Sequence, residues 1–330
     1  MAIKVYNTKV IDDNYSYTID NHYLTTTTGF VQITGFQGVI AGYTSGGRIP
    51  PSTYRNTIDK FPFSTPFATA TDVGDLSQTK YAVGANSSPT DGFVTGGLIP
   101  PYSNTVDKFP FSTPFTTSTD IGDITAAKYE IFSHSSASHG YTAGGFGPAA
   151  VSNTIDKFPF NTPFTTASDI GDLFQARQSA ASNSSDTDGY SIGGIVSVAT
   201  NVGDNFPFST PFTTAYSVAT LSQSRYGSSG QSSETTGYIS GGLTPTIPVA
   251  RIDSFPFSAF FSNTSNIGNL AASTSGPIGQ SSMTDGYASG GRSPSVTNTI
   301  NKFPFSTPFA TATDVGDLSQ ARDTGGGHQY

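Results

Sequence analysis

The sequence predicts an all-β protein: a six-bladed propeller of four-stranded antiparallel blades, preceded by an N-terminal extended β arm. Three observations predict it. First, two marks recur six times at intervals of 48 to 50 residues, a glycine pair and an FPF triplet. The pairs are Gly46 and Gly47, Gly96 and Gly97, Gly144 and Gly145, Gly193 and Gly194, Gly241 and Gly242, and Gly290 and Gly291. The triplets begin at Phe61, Phe109, Phe158, Phe206, Phe255 and Phe303. A period of that length, held six times, is the signature of a modular array. Second, Gly, Ser, Thr and Pro are abundant, charged residues make up only 12%, and no useful stretch shows an apolar 3.6-residue period, which points to strands and turns. Third, each unit divides into four short strands. In the second copy strand A covers about 81–86, B 92–95, C 104–109 and D 115–119, with Gly, Pro, Ser and Asp at the junctions, as tight turns require. Four strands per unit, six times over, is the arithmetic of a propeller, and ring closure removes the exposed ends an open stack would leave.

Composition narrows the chemistry. The absence of cysteine excludes disulfides, thiol catalysis and thiolate metal sites, and four histidines leave little imidazole chemistry. A net charge of −8, with 15 scattered Lys and Arg, argues against nucleic acid as a partner. The first residues, MAIKVYNTKVIDD, lack the uninterrupted apolar run of a signal peptide, and no run approaches the length of a membrane span. The expectation is no signal peptide, no transmembrane segment and no membrane partner. A chain this rich in Ser and Thr fits a surface protein released by lysis or carried on a particle.

Residues 1–38 stand outside the repeat and alternate polar with β-branched or aromatic residues, which favours extended strands. Residues 3–13, IKVYNTKVIDD, resemble the opening of structural proteins of marine cyanobacterial phages, where such a segment precedes a fibre-like or adhesive body. That resemblance implies an arm that anchors the chain to other virion proteins. The competing reading is an ordinary β-rich extension packed on its own domain.

From 39 to 330 the repeat tiles the chain. Tyr43, Phe93, Tyr141, Tyr190, Tyr238 and Tyr287 stand three residues before their glycine pair, and Lys80, Lys128, Arg177, Arg225 and Arg322 precede strand A. This aromatic, diglycine and basic pattern resembles kelch repeats over about 290 residues. It departs from them in having no tryptophan, with Phe67, Phe115, Phe164, Phe212 and Phe309 at the kelch tryptophan position. The last copy stops after strand A, and the first begins at strand B. Residues 322–330 are therefore expected to complete the first blade and close the ring; the alternative donor of that strand is 30–36. Residues 61–78 and 303–320 are identical, FPFSTPFATATDVGDLSQ, as duplication or exchange between interchangeable units would leave them.

Several residue sets invite a chemical reading. TDVGD at 71–75 and its relatives, assigned to D-to-A loops, set two aspartates around a glycine: Asp72 and Asp75, Asp120 and Asp123, Asp169 and Asp172, Asp314 and Asp317. Calcium ligation is one reading; side-chain capping of a turn is the simpler one. The basic residues before strand A are expected either to ring the central channel or to pair with the loop aspartates or with carbonyls of the next blade. His134 and His328 occupy a site where other copies carry Asn86, Asn183, Gln231 and Gln280, so hydrogen bonding rather than metal binding is expected there. No metal and no cofactor is expected. SerThrAspIleGly at 118–122 matches a sialidase Asp-box without its tryptophan, a kelch-type copper oxidase would need a cysteine, and no nucleophile and base stand out.

The B-to-C loops diverge while the framework repeats: RIPPSTYR at 48–55, LIPPYS at 98–103, FGPAAVS at 146–152, IVSVAT at 195–200, LTPTIPVA at 243–250 and RSPSVT at 292–297. Divergent, proline-stiffened loops suit a binding rim; neutral drift in exposed loops is the alternative. Arg48, Tyr54, Arg55, Tyr102, Arg251 and Arg292 are the candidate contacts, since Arg and Tyr dominate interface hot spots. The sequence thus leads to a non-enzymatic virion protein, tail- or fibre-associated, that attaches to a host-surface glycan or protein and is present in several copies in a symmetric assembly. A cellular kelch-type interaction scaffold and a propeller glycosidase or lyase are the competing readings.

Overall fold

Each repeat forms one twisted four-stranded antiparallel sheet, because its short β-branched and aromatic runs are separated by turn residues and no blade can bury both faces alone. The computed structural model describes residues 37–330, except 65, 113, 210–211, 259–262 and 307, and the backbone of Ile3–Val5, Lys9–Ile11, Tyr23–Thr26 and Gly29–Gln32. Those four short strands form two hairpins, Ile3–Val5 with Lys9–Ile11 and Tyr23–Thr26 with Gly29–Gln32. The rest of the expected arm up to residue 36 lies outside the described residues.

Blade 2 shows the pattern: Gly84–Ser87 (A), Asp91–Thr95 (B), Thr105–Pro110 (C) and Thr119–Asp123 (D), hydrogen-bonded in that order from the axis outward. Six such sheets are present. Two strand assignments from the sequence are corrected. Strand A begins at Gly84 rather than 81, because Ala82 has φ 53° and a left-handed residue cannot continue a strand. Strand D is the TDIGD segment itself, so these aspartates lie in the outermost strand and not in a D-to-A loop. The residues taken for strand D belong to the C-to-D connector, where Phe115 packs on Gly74 of the preceding blade; a β-carbon there would meet the ring at 2.6 Å. The aspartates do cap locally: Asp72, Asp120, Asp169 and Asp314 each accept a bond from the glycine amide two residues on. Among the described residues no group of three His, Cys, Asp or Glu side chains could hold a metal ion.

Closure uses both ends of the repeat. Gly326–Gln329 pairs antiparallel with Ala41–Ser45, giving blade 1 the strand order Gly326–Gln329, Ala41–Ser45, Thr57–Pro62, Thr71–Asp75. Gly29–Gln32, part of the alternative donor, pairs with its own hairpin partner instead. The amides of Val39, Ile40 and Ala41 all donate to the Tyr330 carbonyl. Gln37 and Gly38, read from sequence as the end of the arm, are bound to blade 6 through Ser282 and Ser281.

Four side-chain systems run round the ring from blade to blade. The strand-B aromatic packs on the FPF segment of the next blade: Tyr43 on Phe111 at 4.8 Å, Phe93 on Phe160 at 4.6 Å, and so on to Tyr287 on Phe63 at 4.7 Å. Five of the six are tyrosines whose hydroxyl donates to a backbone carbonyl of that segment, which satisfies the polar tip of a buried ring. The strand-D glycine takes the phenyl ring of the next connector. The other two systems are polar.

The basic residues before strand A are buried between blades and do not line the channel. Lys80, Lys128, Arg177, Arg225 and Arg322 pair with Asp107, Asp156, Asp204, Asp253 and Asp59 at 2.6, 3.3, 2.8, 2.7 and 3.0 Å. Their partners are strand-C aspartates of the next blade rather than those of TDVGD. The arginines also reach carbonyls of that blade, such as Arg177 to Ser191 and Arg322 to Gly46. At the sixth junction the equivalent positions are both neutral, Thr274 and Asn301; the Thr274 hydroxyl donates to the Ala272 carbonyl and the Asn301 side chain accepts from the Ala271 amide. Burial raises the pKa of Asp59 and Asp204 and lowers that of Arg225 and Arg322. Each charge is therefore tolerated only because its partner is present.

Nearest the axis, a side-chain relay crosses each interblade gap in turn, reaching the next inner strand at four junctions and strand B of the next blade, at Tyr287 and Tyr43, at the other two. Asn86 donates to the His134 carbonyl, His134 bonds Asn183, Asn183 donates to Gln231, Gln231 to Tyr287, and Gln280 to Tyr43; His328 bonds the Asn86 carbonyl. All six relay residues are at most 1% exposed. The histidine rings give Nδ1 to a carbonyl and face Ser191 and Ser45 hydroxyls through Nε2, the arrangement of a neutral imidazole.

Two predictions follow from these seams. Asp107→Ala, which strands Lys80 in a dry interface, should cost about 3–5 kcal/mol. The double change Lys80→Thr with Asp107→Asn, copying the Thr274 and Asn301 junction, should cost clearly less; urea melts of both variants decide, and equal losses would show that pairing is not what matters. Burial lowers the pKa of His134 and His328 to about 4, while the unfolded value is about 6.5. Between those values the unfolded chain binds more protons, so stability is intact above about pH 6.5 and falls as pH drops towards 4, by up to about 3 kcal/mol per histidine. Melting temperature against pH should fall less steeply for His134→Asn with His328→Asn, which copies Asn86 and Asn183.

Candidate recognition face

Antiparallel order puts the B-to-C loops and the D-to-A connectors at one end of the propeller, and the A-to-B turns at the other. The glycine pair builds the first end. Gly46 and Gly47 (φ 61° and 97°) bend the chain out of strand B, and the Gly47 amide reaches the Lys80 carbonyl of the adjoining connector. In each blade a connector residue then bridges the first loop residue, which in turn bridges the loop's end: Tyr81 to Leu98 to Tyr102, and Tyr129 to Phe146 to Val151. In blade 1 the chain of contacts is Asp323 to Arg48 to Tyr54.

At the mouth of the axis Ala82, Glu130, Ser179, Gly227, Gly276 and Thr324 all have φ between 53° and 62°. The amide of each donates to the carbonyl of the one before it, at 2.7 to 3.1 Å, and the Ala82 amide closes the circle on Thr324. Four of the six are not glycine and bear about 1–2 kcal/mol each for the left-handed conformation. Below this collar the inner strands enclose a cavity of about 130 Å3 lined by small and apolar residues, among them Val83, Ala85, Ser182 and Gly279, with no charged side chain. The cationic channel expected as one reading of the sequence is therefore absent, because every base that would build it is turned into an interblade seam.

The face is uneven. Above blades 6, 1, 2 and 3 it is aromatic and charged. Arg48 and Arg292 bracket the Asp323 carboxylate at 3.0 and 2.9 Å, and Asp323 itself is only 3% exposed. The Arg48 guanidinium lies 4.6 Å from the centre of the Tyr81 ring, within cation–π range. Tyr54 stacks on Tyr81 at 4.9 Å, and Tyr102 meets Tyr129 at 5.1 Å, with Phe146 5.7 Å further on. Burial opposes the Arg48 charge, but Asp323 and Tyr81 outweigh it and raise its pKa. Burial raises the Glu130 pKa, against the pull of the Ser179 hydroxyl and of Arg48. Burial likewise raises the hydroxyl pKa of Tyr81 and Tyr129, so both stay neutral donors. Two half-exposed guanidiniums, tyrosyl hydroxyls and ring edges converge here around one buried acid. Above blades 4 and 5 the face is aliphatic instead, with Val198 and Ile247 exposed.

Of the six residues singled out by sequence, the structure brings Arg48, Tyr54, Tyr102 and Arg292 into the charged sector. Arg55 lies close enough to Arg322 that its charge adds to burial, the main cause, in lowering the pKa of that side chain. Arg251 does not join them: it is the first residue of strand C in blade 5 and bonds Asp253 at 2.6 Å. Sequence reasoning missed Tyr81, Tyr129, Glu130, Phe146 and Asp323. Apart from Phe146, which opens its loop, they sit in D-to-A connectors, where the six copies read Tyr81, Tyr129, Gln178, Tyr226, Ser275 and Asp323. That divergence, equal to that of the loops, was the available signal.

No protein-family model matches the chain, and no curated protein sequence matches it. Among solved structures, that of YjhT is similar, with a TM-score of 0.63 over 76% of this chain and 88% of that one, at 11% sequence identity. At that identity the likeness is one of fold: both chains are six-bladed propellers, and the repeat seen in this sequence is kelch-like in structure.

Proposed function

We propose that the chain is a non-enzymatic virion structural protein, a tail- or fibre-associated attachment propeller that docks by its N-terminal arm and binds a host-surface glycan or protein with the loop face. The observation that carries this reading is the opposition of the two ends. The chain enters the propeller at Gly38, bound beside the A-to-B turn of blade 6, whereas the Arg48, Arg292, Tyr81 and Tyr129 cluster lies on the opposite face. A segment that docks at one end leaves the other free to meet a surface. The eleven-residue likeness of 3–13 to phage structural proteins supports the arm's role, and strand addition needs only an extended segment. Guanidiniums and tyrosines held in place by Asp323 and the collar are preordered, which lowers the entropy cost of binding.

The test separates the two halves. Deleting residues 1–38 should abolish incorporation into particles; normal incorporation would refute the anchor. Arg292→Ala with Tyr102→Ala should weaken binding of the full chain to host-surface material about tenfold or more, while Ser138→Ala on the other face leaves it unchanged. Equal binding by all three proteins would refute the rim, and turnover of a host polysaccharide would favour the enzyme reading.

A further inference from the structure

The end of the ring opposite the loop face carries a repeated ion pair. Strand B begins there, and the fourth residue of strand C lies diagonally beside its first residue on the same side of the sheet. In blade 2 these are Asp91 and Lys108, in blade 6 Asp285 and Lys302, paired at 3.2 and 3.1 Å. Each lysine also lies over the strand-B aromatic, 5.6 Å from the centre of the Phe93 ring and 5.8 Å from that of Tyr287. Both pairs face solvent, the lysines being 32% and the aspartates 17% exposed. Blades 3 and 4 divide this pair between them. Blade 3 keeps the base, with Lys157 at 5.7 Å from the Tyr141 ring, but has His139 at the acid position. Blade 4 keeps the acid, Asp188, but has Asn205 at the base position. His139 does not supply the missing charge: its ring bonds the Ser138 hydroxyl, and burial followed by the Lys157 charge lowers its pKa. Asp188 accepts the neighbouring Thr187 hydroxyl, as Asp91 accepts that of Thr90. Among the described residues neither Lys157 nor Asp188 forms an ion pair.

We propose that this end of the ring, at the boundary of blades 3 and 4, is a contact between two copies of the chain, in which Lys157 of each copy pairs with Asp188 of the other. A twofold axis lying across the ring at that boundary exchanges blade 3 with blade 4. Both divided pairs are then completed at once, as an isologous interface requires. Charge selects the occupant. A partner of one charge sign would be drawn to one of these blades and repelled by the other, whereas a second copy presents the opposite sign to each. The entry of the chain does not compete for the site. Gly38 lies beside Ser282 of blade 6, and Val39 bonds Tyr330 of blade 1, so the chain enters across the ring from blades 3 and 4. Exposed ion pairs add little affinity and mainly set partner and register, so a weak contact, with a dissociation constant on the order of 100 µM, is expected. This contact is independent of the loop-face reading.

Sedimentation equilibrium of the full chain tests it, at about 0.15 M salt, where a Debye length of about 8 Å screens the net charge of −8 more than pairs in contact. Over about 10 to 500 µM, a range chosen for a weak contact, the mass should rise from 34.4 kDa towards twice that value. Lys157→Glu and Asp188→Lys should each weaken self-association about tenfold or more. An equimolar mixture of the two should restore it, as should both substitutions in one chain. His139→Asp with Asn205→Lys copies the blade 2 pair into both blades, so each charge is met inside its own sheet. This variant should keep the wild-type circular dichroism and lose self-association, and it decides if the charge reversals do not fold. A wild-type chain that stays at 34.4 kDa, including one that binds only a foreign charged protein, would overturn the proposal. Self-association untouched by the reversals, or a loss that mixing does not restore, would overturn it equally.

Discussion

The set of buried amides and imidazoles on the inner strands, bonded from blade to blade, is the constraint on which the rest depends. Each member spans one interblade gap, so the relay can close only when six blades are present at one spacing. It also requires an inner strand in blade 1, and that strand is supplied by residues nearly three hundred positions from its neighbours. The chain ends are thereby fixed where loop-closure entropy is highest, and His328 completes the circle on the Asn86 carbonyl. With the axis set, the connector collar sits directly above it, and the loop face inherits its geometry from that collar.

The fold was legible because its marks act locally. A glycine pair bends the chain whatever lies beyond it, and an aromatic packing on FPF repeats with the period. The hydrogen-bonding role of the histidine and amide site was legible for a related reason: Asn, Gln and His share little except their hydrogen-bonding capacity. What escaped was set by partners in the next blade. Lys80 meets Asp107, 27 residues on, and nothing in either segment says that they face each other. TDIGD reads as a loop because Gly and Asp favour turns, yet the phenyl of Phe164 packs over Gly122 and holds the segment as an outer strand. Strand A was drawn too long because a left-handed residue shows in sequence only where it is glycine, as at Gly227 and Gly276; Ala82 and Glu130 give no sign. Most of the charged cluster was lost with that boundary, since Tyr81 and Tyr129 had been counted as strand.

Six copies in one chain also act as controls for one another. Some departures are repaired on the spot. Where the base becomes Thr274, the acid becomes Asn301. Four inner-strand serines, from Ser135 to Ser281, each accept the amide of the preceding inner strand, and Ser87 accepts that of Gln329. Gln329 has no hydroxyl to continue the series, and there the Gly38 amide binds the Ser281 carbonyl instead. In blade 5 the free oxygen of Asp253 is taken by Arg251. A framework under strong packing constraint shows this pattern, each loss being met by a nearby gain.

Phe174 is not repaired. At its position Ser77, Thr125 and Ser319 donate a hydroxyl to the buried aspartate of the next blade. Phe174 offers only its amide, so Asp204 Oδ1 has no hydrogen-bond partner among the described residues, and the phenyl ring is 63% exposed. An unpaired buried acceptor costs about 1–3 kcal/mol, and an exposed ring returns none of it. Blade 4, which holds Asp204, also carries the exposed Val198 and Tyr216. Departures from local rules whose cost is not recovered inside the chain concentrate at functional surfaces. By that criterion the Phe174 ring and the unmatched Asp204 oxygen make the entry to blade 4 the junction whose cost is least recovered inside the chain.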